Sequence, residues 1–128
     1  SEKSETLLEL YSGVGLFTKF LANKFNQIFA VEESPSACDD FAINLDEYDH
    51  INLYVGKVDE IIPNLIINPD AILLDPPRSG LDPTTFEKVL SFQAEKIVYI
   101  SCDVATLVRE LPFCRKMRRI KTDYCKNG

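Results

Sequence analysis

The 128-residue chain has no C-x-x-C pair; its four cysteines, Cys38, Cys102, Cys114 and Cys125, are scattered. That pattern excludes a zinc knuckle and a disulfide framework, so reduced thiols and no metal site are expected. The sequence also lacks any apolar run near the roughly 20 residues of a membrane span, and its polar N-terminus does not resemble a signal peptide. A cytoplasmic protein without membrane contact is the expectation. Linkers, repeats and low-complexity tracts are absent too, so a chain that is 45% hydrophobic and 27% charged reads as one soluble domain with a single core.

One further absence narrows the chemistry. The stretch Leu7 to Gly15, LLELYSGVG, reads as a buried strand running into a glycine-bearing turn, with a helix starting just after it. Gly13 and Gly15 lack the Cβ that hinders a tight turn and close approach to a ligand. Such a strand, turn and helix presents free backbone N–H groups to a nucleotide-type ligand. The third glycine of the dinucleotide fingerprint is missing, because Thr18 stands beyond Gly15. Hydride transfer with a dinucleotide is therefore disfavoured.

What is present alternates strand with helix. Apolar spacing predicts a helix from Leu16 to about Asn23, a strand from Gln27 to Val31 ending at Glu32, and a helix opened by Ser34-Pro35 and running to about Leu45. Strands follow at Ile51 to Val55 and Ala71 to Leu74, the second closed by Asp75-Pro76-Pro77. Asp82-Pro83 opens a helix through about Phe92, Lys96 to Ser101 is a fifth strand, Asp103 to Leu111 a helix, and Met117 to Thr122 a sixth strand. The fold class is α/β, a doubly wound, mostly parallel sheet with right-handed crossovers. Ligands of such sheets lie beyond the carboxyl ends of the strands.

Three side chains fall at those ends. Glu32 ends its strand 17 positions after Gly15, close to the roughly 20-residue offset at which a carboxylate holds ribose hydroxyls. The alternatives are a surface glutamate or the same role for Glu33. Asp75, ahead of two prolines, forms either a rigid lip facing cofactor and substrate or a plain turn. Cys102, between an apolar strand and a helix, is either a thiolate nucleophile or a packing residue. The net charge of −6 conceals a basic C-terminal part, with Arg109, Arg115, Lys116, Arg118, Arg119, Lys121 and Lys126 against Glu110 and Asp123. A polyanion such as RNA could dock there, and a solvated face is the alternative.

LELYSGVG, Glu32, LLDPPRSG and IVYISCDVATLVRE, in that order and spacing, resemble the S-adenosylmethionine-dependent RNA uracil-5-methyltransferases that modify 23S rRNA and tRNA. The resemblance runs from Leu7 to about Leu111. It implies a Rossmann-like sheet of the S-adenosylmethionine-dependent methyltransferase type, truncated near the last strands. It implies that Tyr11 and the Gly13 to Gly15 turn cradle the methionine part of S-adenosylmethionine, that Glu32 holds the ribose, and that Asp75 lies beside cofactor and base. Cys102 is then the nucleophile that adds to carbon 6 of uracil, and the partner is rRNA or tRNA.

The sequence departs from the family's pattern in places. Val104 stands where proline is usual, and Asp103 where asparagine is common, putting a carboxylate next to the nucleophile. Lys57 replaces an acidic residue after the third strand, with Asp59 as a substitute for adenine contacts. Residues 1–128 therefore read as a catalytic-domain fragment, without the family's N-terminal RNA-binding domain or the C-terminal segment that carries the general base, and inactive on its own. The competing readings are a cofactor-binding module that has lost catalysis and an amino-methylating nucleic-acid enzyme. Arg78, where that last class has an aromatic residue, argues against it.

Overall fold

Strand β1 (Thr6–Leu10) occupies the middle of the sheet because its apolar residues are buried on both of its faces: Leu7, Leu8 and Leu10 are each at most 2% exposed. The computed structural model describes residues 5–101 and the backbone of 120–124. Around β1 lie β2 (Gln27–Glu32), β3 (Ile51–Val55), β4 (Ala71–Leu74), β5 (Lys96–Ser101) and β6 (Ile120–Tyr124), in the order β3-β2-β1-β4-β5-β6. Every pairing is parallel, so all six carboxyl ends share one edge. The sheet is wholly rather than mostly parallel among the described strands.

The helices are α1 (Leu16–Leu21), α2 (Pro35–Asn44), α3 (Val58–Ile61) and α4 (Pro83–Ser91). Short 3-10 turns, Ala22–Lys24 and Ile62–Asn64, extend α1 and α3. Chain order steps outward from β1 to β3 and then from β4 to β6. Right-handed crossovers therefore put α1 and α2 on one face and α3 and α4 on the other. The packing agrees. Leu8, Leu10, Ile72, Leu74 and Tyr99 meet Val58, Ile62, Phe86 and Val89 from α3, α4 and the adjoining turn. Leu7, Ile28, Ala71 and Leu73 meet Leu21 and Phe25 on the other face.

Both proline-opened helices form as the sequence predicts. Ser34 Oγ accepts from Ala37 N–H at 3.3 Å with Pro35 in the first turn, and Asp82 Oδ2 accepts from Thr84 N–H at 3.0 Å with Pro83 in the first turn. Helix α3 was not anticipated, since four residues carry too little periodicity to register. Strand β6 lies a few residues later than Met117 to Thr122, because its pairing runs from Ile120 opposite Ile97 to Tyr124 opposite Ser101. The expected helix Asp103 to Leu111 lies outside the described residues.

One buried residue among those described carries a carboxylic acid. Glu9 is 1% exposed in the middle of β1, level with Ala30 on β2 and Leu73 on β4. Burial pushes its carboxyl from the ordinary 4.5 up to about 7; the Thr18 hydrogen bond opposes the rise and the nearby Asp75 charge adds to it. A raised acid favours the folded state in its protonated form. Its contribution is thus complete below about pH 4.5 and is lost as pH rises through about 7. Urea denaturation should therefore show wild type losing on the order of 3 kcal/mol relative to Glu9→Gln across that window. A constant difference between the two proteins would contradict it.

Candidate functional site

At the carboxyl edge, the end of β1 folds over the end of β2. Tyr11 N–H and Ser12 N–H both donate to the Val31 carbonyl, at 2.9 and 3.1 Å. To do so Tyr11 takes φ 63°, a left-handed conformation that costs a non-glycine residue about 1 kcal/mol or more. The turn thus begins two residues before the first glycine. Gly13 and Gly15 follow, also left-handed, at φ 62° and 92°. Their roles differ. A Cβ on Gly13 would meet nothing within 4 Å, whereas one on Gly15 would lie 2.5 Å from Leu45 Cδ2 and 2.9 Å from Phe41 Cδ2 on the α2 side.

The turn is held from three directions. Gly13 N–H donates to Glu32 Oε1 at 2.8 Å, Gly15 N–H to the Ser12 carbonyl at 3.2 Å, and Asn44 Nδ2 of α2 to the Val14 carbonyl at 2.8 Å. The N–H groups of Tyr11, Ser12, Gly13 and Gly15 are therefore engaged within the protein, which corrects the expectation that this turn offers them free. With six residues, α1 also carries only a short dipole. The polar residues at the cavity on this edge are Tyr11, Glu32, Glu33, Ser34 and Asp75. Asn44 had no signal in the sequence, because its partner is 30 positions upstream.

Glu32 is the hinge of the arrangement. Its Oε1 accepts from the turn and its Oε2 from Ser34 N–H at 3.0 Å, so one carboxylate links the glycine turn to the start of α2. Each oxygen keeps acceptor capacity for a ligand hydroxyl. Glu33 is exposed, whereas Glu32 is half-buried. Across from them Asp75 continues the pairing of β4 by donating its N–H to the Leu10 carbonyl at 3.3 Å. Its carboxyl is half-buried, and desolvation raises its pKa above the ordinary range.

Tyr11, Glu32, Glu33, Ser34, Val58, Asp75 and Pro77 line a cavity of about 390 Å³. Four of the five residues expected at the cofactor, Tyr11, Gly13, Glu32 and Asp75, are at this cavity or bonded to its wall. Gly15 contributes from behind, by letting α2 approach. Asp59 is not brought to it: Val58 supplies an apolar wall, while Asp59 lines a separate hollow of about 380 Å³ with Pro63, Asp82, Thr85 and Lys88. A larger hollow of about 540 Å³ is bordered by Leu7, Leu21, Phe25 and Val98 together with Asn23, Lys24 and Lys96, with Glu5 as its one carboxylate. Cys102, Cys114, Cys125 and most of the basic cluster lie outside the described residues. Cys38 is buried in α2 with its thiol donating to the Glu32 carbonyl at 3.4 Å, a packing role.

The comparisons with known proteins converge on one family. Residues 64–123 match the model of the tRNA (uracil-5-)-methyltransferases. An uncharacterized RNA methyltransferase of Listeria monocytogenes is 34% identical over 123 residues, covering 92% of this chain and 27% of its own length. One of Nostoc is 38% identical over 109 residues, covering 84% and 24%. The tRNA (uracil-54, C5)-methyltransferase of Pyrococcus abyssi, solved in complex with S-adenosyl-L-homocysteine, superposes with a TM-score of 0.75 at 26% identity, covering 87% of this chain and 28% of that one. The model, the relatives and the solved structure agree on one likeness, to the tRNA (uracil-5-)-methyltransferase family and RNA methyltransferases.

The chain spans about a quarter of the length of these relatives. The sheet is shared more widely: precorrin-6y C5,15-methyltransferase of Geobacter metallireducens superposes with a TM-score of 0.73 at 16% identity, a likeness of fold alone. Among the described residues no helix is long and apolar enough to cross a membrane, and no cluster of three or more His, Cys, Asp or Glu could hold a metal. The two glycines of the turn should respond differently to a methyl group. Gly13→Ala is expected to cost about 1 kcal/mol, from backbone strain alone. Gly15→Ala should cost about 2 to 4 kcal/mol, because strain and overlap with Phe41 and Leu45 add. Equal losses in chemical denaturation would show that α2 does not pack on the turn.

Proposed function

We propose that residues 1–128 are the catalytic domain of an RNA methyltransferase that transfers a methyl group from S-adenosylmethionine to carbon 5 of a uridine in rRNA or tRNA. The observation that carries this reading is the meeting of Tyr11, Glu32 and Asp75 at one cavity on the carboxyl edge of a parallel sheet. The likeness to this family supports the same chemistry. The donor set fits the cofactor: a carboxylate with acceptor capacity to spare for ribose hydroxyls, an aromatic residue at the turn, and a second carboxylate suited to a cationic sulfonium. When bound, S-adenosylmethionine supplies the methyl group.

The chain's own residues then take separate parts. The Tyr11 to Gly15 turn carries the methionine portion, Glu32 holds the ribose, and Asp75 stands between cofactor and base. The Cys102 thiolate adds to carbon 6 of the uracil, which makes carbon 5 nucleophilic enough to accept the methyl group. The carbon 5 proton then passes to a base and the cysteine is expelled. The uracil must leave its stack to reach the pocket. The basic residues between Arg109 and Lys126 are the docking side for the RNA, in a cytoplasmic setting. Asp103 beside Cys102 favours a second reading, a cofactor-binding module without catalysis, since a neighbouring carboxylate disfavours the thiolate.

Calorimetric titration tests the cofactor half. S-adenosylmethionine or S-adenosylhomocysteine should bind and NAD should not, and Glu32→Ala should weaken binding by about 1 to 3 kcal/mol. NAD binding in their place would overturn the reading. The catalytic half is tested in the full-length parent with a 5-fluorouridine RNA, whose carbon 5 has no proton to lose once the methyl group is on. A covalent adduct that vanishes in Cys102→Ser is the expected result. Cofactor binding without any adduct would assign the binding module instead.

A further inference from the structure

Helix α1 lays Leu21, with Ala22 just after it, against the sheet and leaves its other large apolar residues outward. Leu16, Phe17 and Phe20 are 70%, 43% and 74% exposed, whereas Thr18 is fully buried. Thr18 shares the buried face with Leu21 and Ala22, three and four positions on, and a hydroxyl buried there calls for a partner. Thr18 Oγ1 donates to Glu9 Oε1 at 2.5 Å, and Glu9 is fixed in the central strand between its neighbours Ala30 and Leu73.

That bond closes a loop of nine positions, and the loop contains the whole turn from Tyr11 to Gly15. The turn needs such a brace. Tyr11 is strained at φ 63°, and the Ser12 hydroxyl is buried with no hydrogen-bond partner among the described residues. Neither Glu9 nor Thr18 lines the cavity, but both ends of the turn depend on them: β1 at one end carries Glu9, and α1 at the other carries Thr18.

We propose that Glu9 is a positioning residue of the cofactor site, acting through Thr18. Their bond, together with the burial of Leu21 and Ala22, fixes the rotation of α1 and so holds the 11–15 turn where Tyr11 lines the cavity and Gly13 N–H meets Glu32. The inference rests on the cofactor reading above for its functional consequence, not for its geometry. A neutral or an ionised carboxyl can accept from Thr18, but the ionised one does so more strongly. Burial raises the Glu9 carboxyl most, and the charge of Asp75, which lines the cavity, adds to the rise, so charge at the cavity and the state of the brace are linked. The brace tightens as pH rises through neutrality.

The test uses Thr18→Val, which keeps the shape and deletes the hydroxyl, Thr18→Ser, which keeps the hydroxyl, and Glu9→Gln. Two quantities are read: the dissociation constant for S-adenosylhomocysteine and hydrogen exchange at single amides in the ligand-free chain. Thr18→Val should bind about tenfold or more weakly and exchange the Tyr11, Ser12 and Gly13 amides about tenfold faster, with Ile72 and Leu74 in β4 unchanged. Thr18→Ser should restore both. Should Thr18→Val not fold, Glu9→Gln decides: its affinity should be flat between about pH 6 and 8, where the wild-type affinity rises. A folded Thr18→Val with unchanged affinity and exchange, a uniform rise in exchange that includes β4, or a Glu9→Gln profile that follows wild type would each overturn the inference. If wild type binds neither S-adenosylhomocysteine nor S-adenosylmethionine, the cofactor reading fails while the exchange experiment still decides whether the brace exists.

Discussion

Everything at the candidate site depends on the position of β1, paired in parallel with β2 on one side and β4 on the other. Parallel pairing in both directions brings the ends of all three strands to one edge, so Tyr11, Glu32 and Asp75, far apart in sequence, become neighbours. The same pairing buries β1 on both faces, which is why its sequence is a run of leucines. Glu9 is the exception within that run, and its cost is partly offset by a hydrogen bond from Thr18 on the buried face of α1.

The edge of the sheet concentrates features that a purely structural loop would avoid. Tyr11 adopts a conformation natural to glycine, the Ser12 hydroxyl is buried unpaired, and the Glu9 and Asp75 carboxyls are both held above their ordinary pKa. Such conflicts persist only where surrounding structure over-determines them, and they collect at ligand sites. Here the over-determination is visible as bonds from Val31, Glu32, Asn44 and Thr18, which reach the turn or its flanks from two other elements, β2 and α2, and from α1 itself. The Glu32 carboxylate bonds both the turn and the start of α2, so the group proposed to hold the ribose also shapes the turn beside it.

The order of strands and helices was legible in the sequence because each depends on local physics. A strand's apolar run, a serine or aspartate ahead of proline, and a double proline after Leu74 act within a few residues of themselves. Their bounds were met within one residue for β1 through β5 and for both capped helices. The carboxyl-edge location of Glu32 and Asp75 followed from the alternation, with no need of contacts. Helix α3, only four residues long, and the register of β6, fixed by its partner rather than by its own residues, were not readable in this way.

By itself the sequence determined the class of sheet, the edge that carries the candidate site, and the residues that stand there, since strand ends and turn chemistry are properties of short segments. Only the tertiary structure decided how the turn is held. The left-handed Tyr11 is imposed by two N–H groups reaching one carbonyl on β2, the need for glycine at position 15 by side chains of α2, and the fixing of Val14 by Asn44. The burial of Glu9 against Thr18 likewise belongs to the packed state: a glutamate among leucines and a threonine among phenylalanines read locally as polar interruptions, and only packing α1 on the sheet makes them partners.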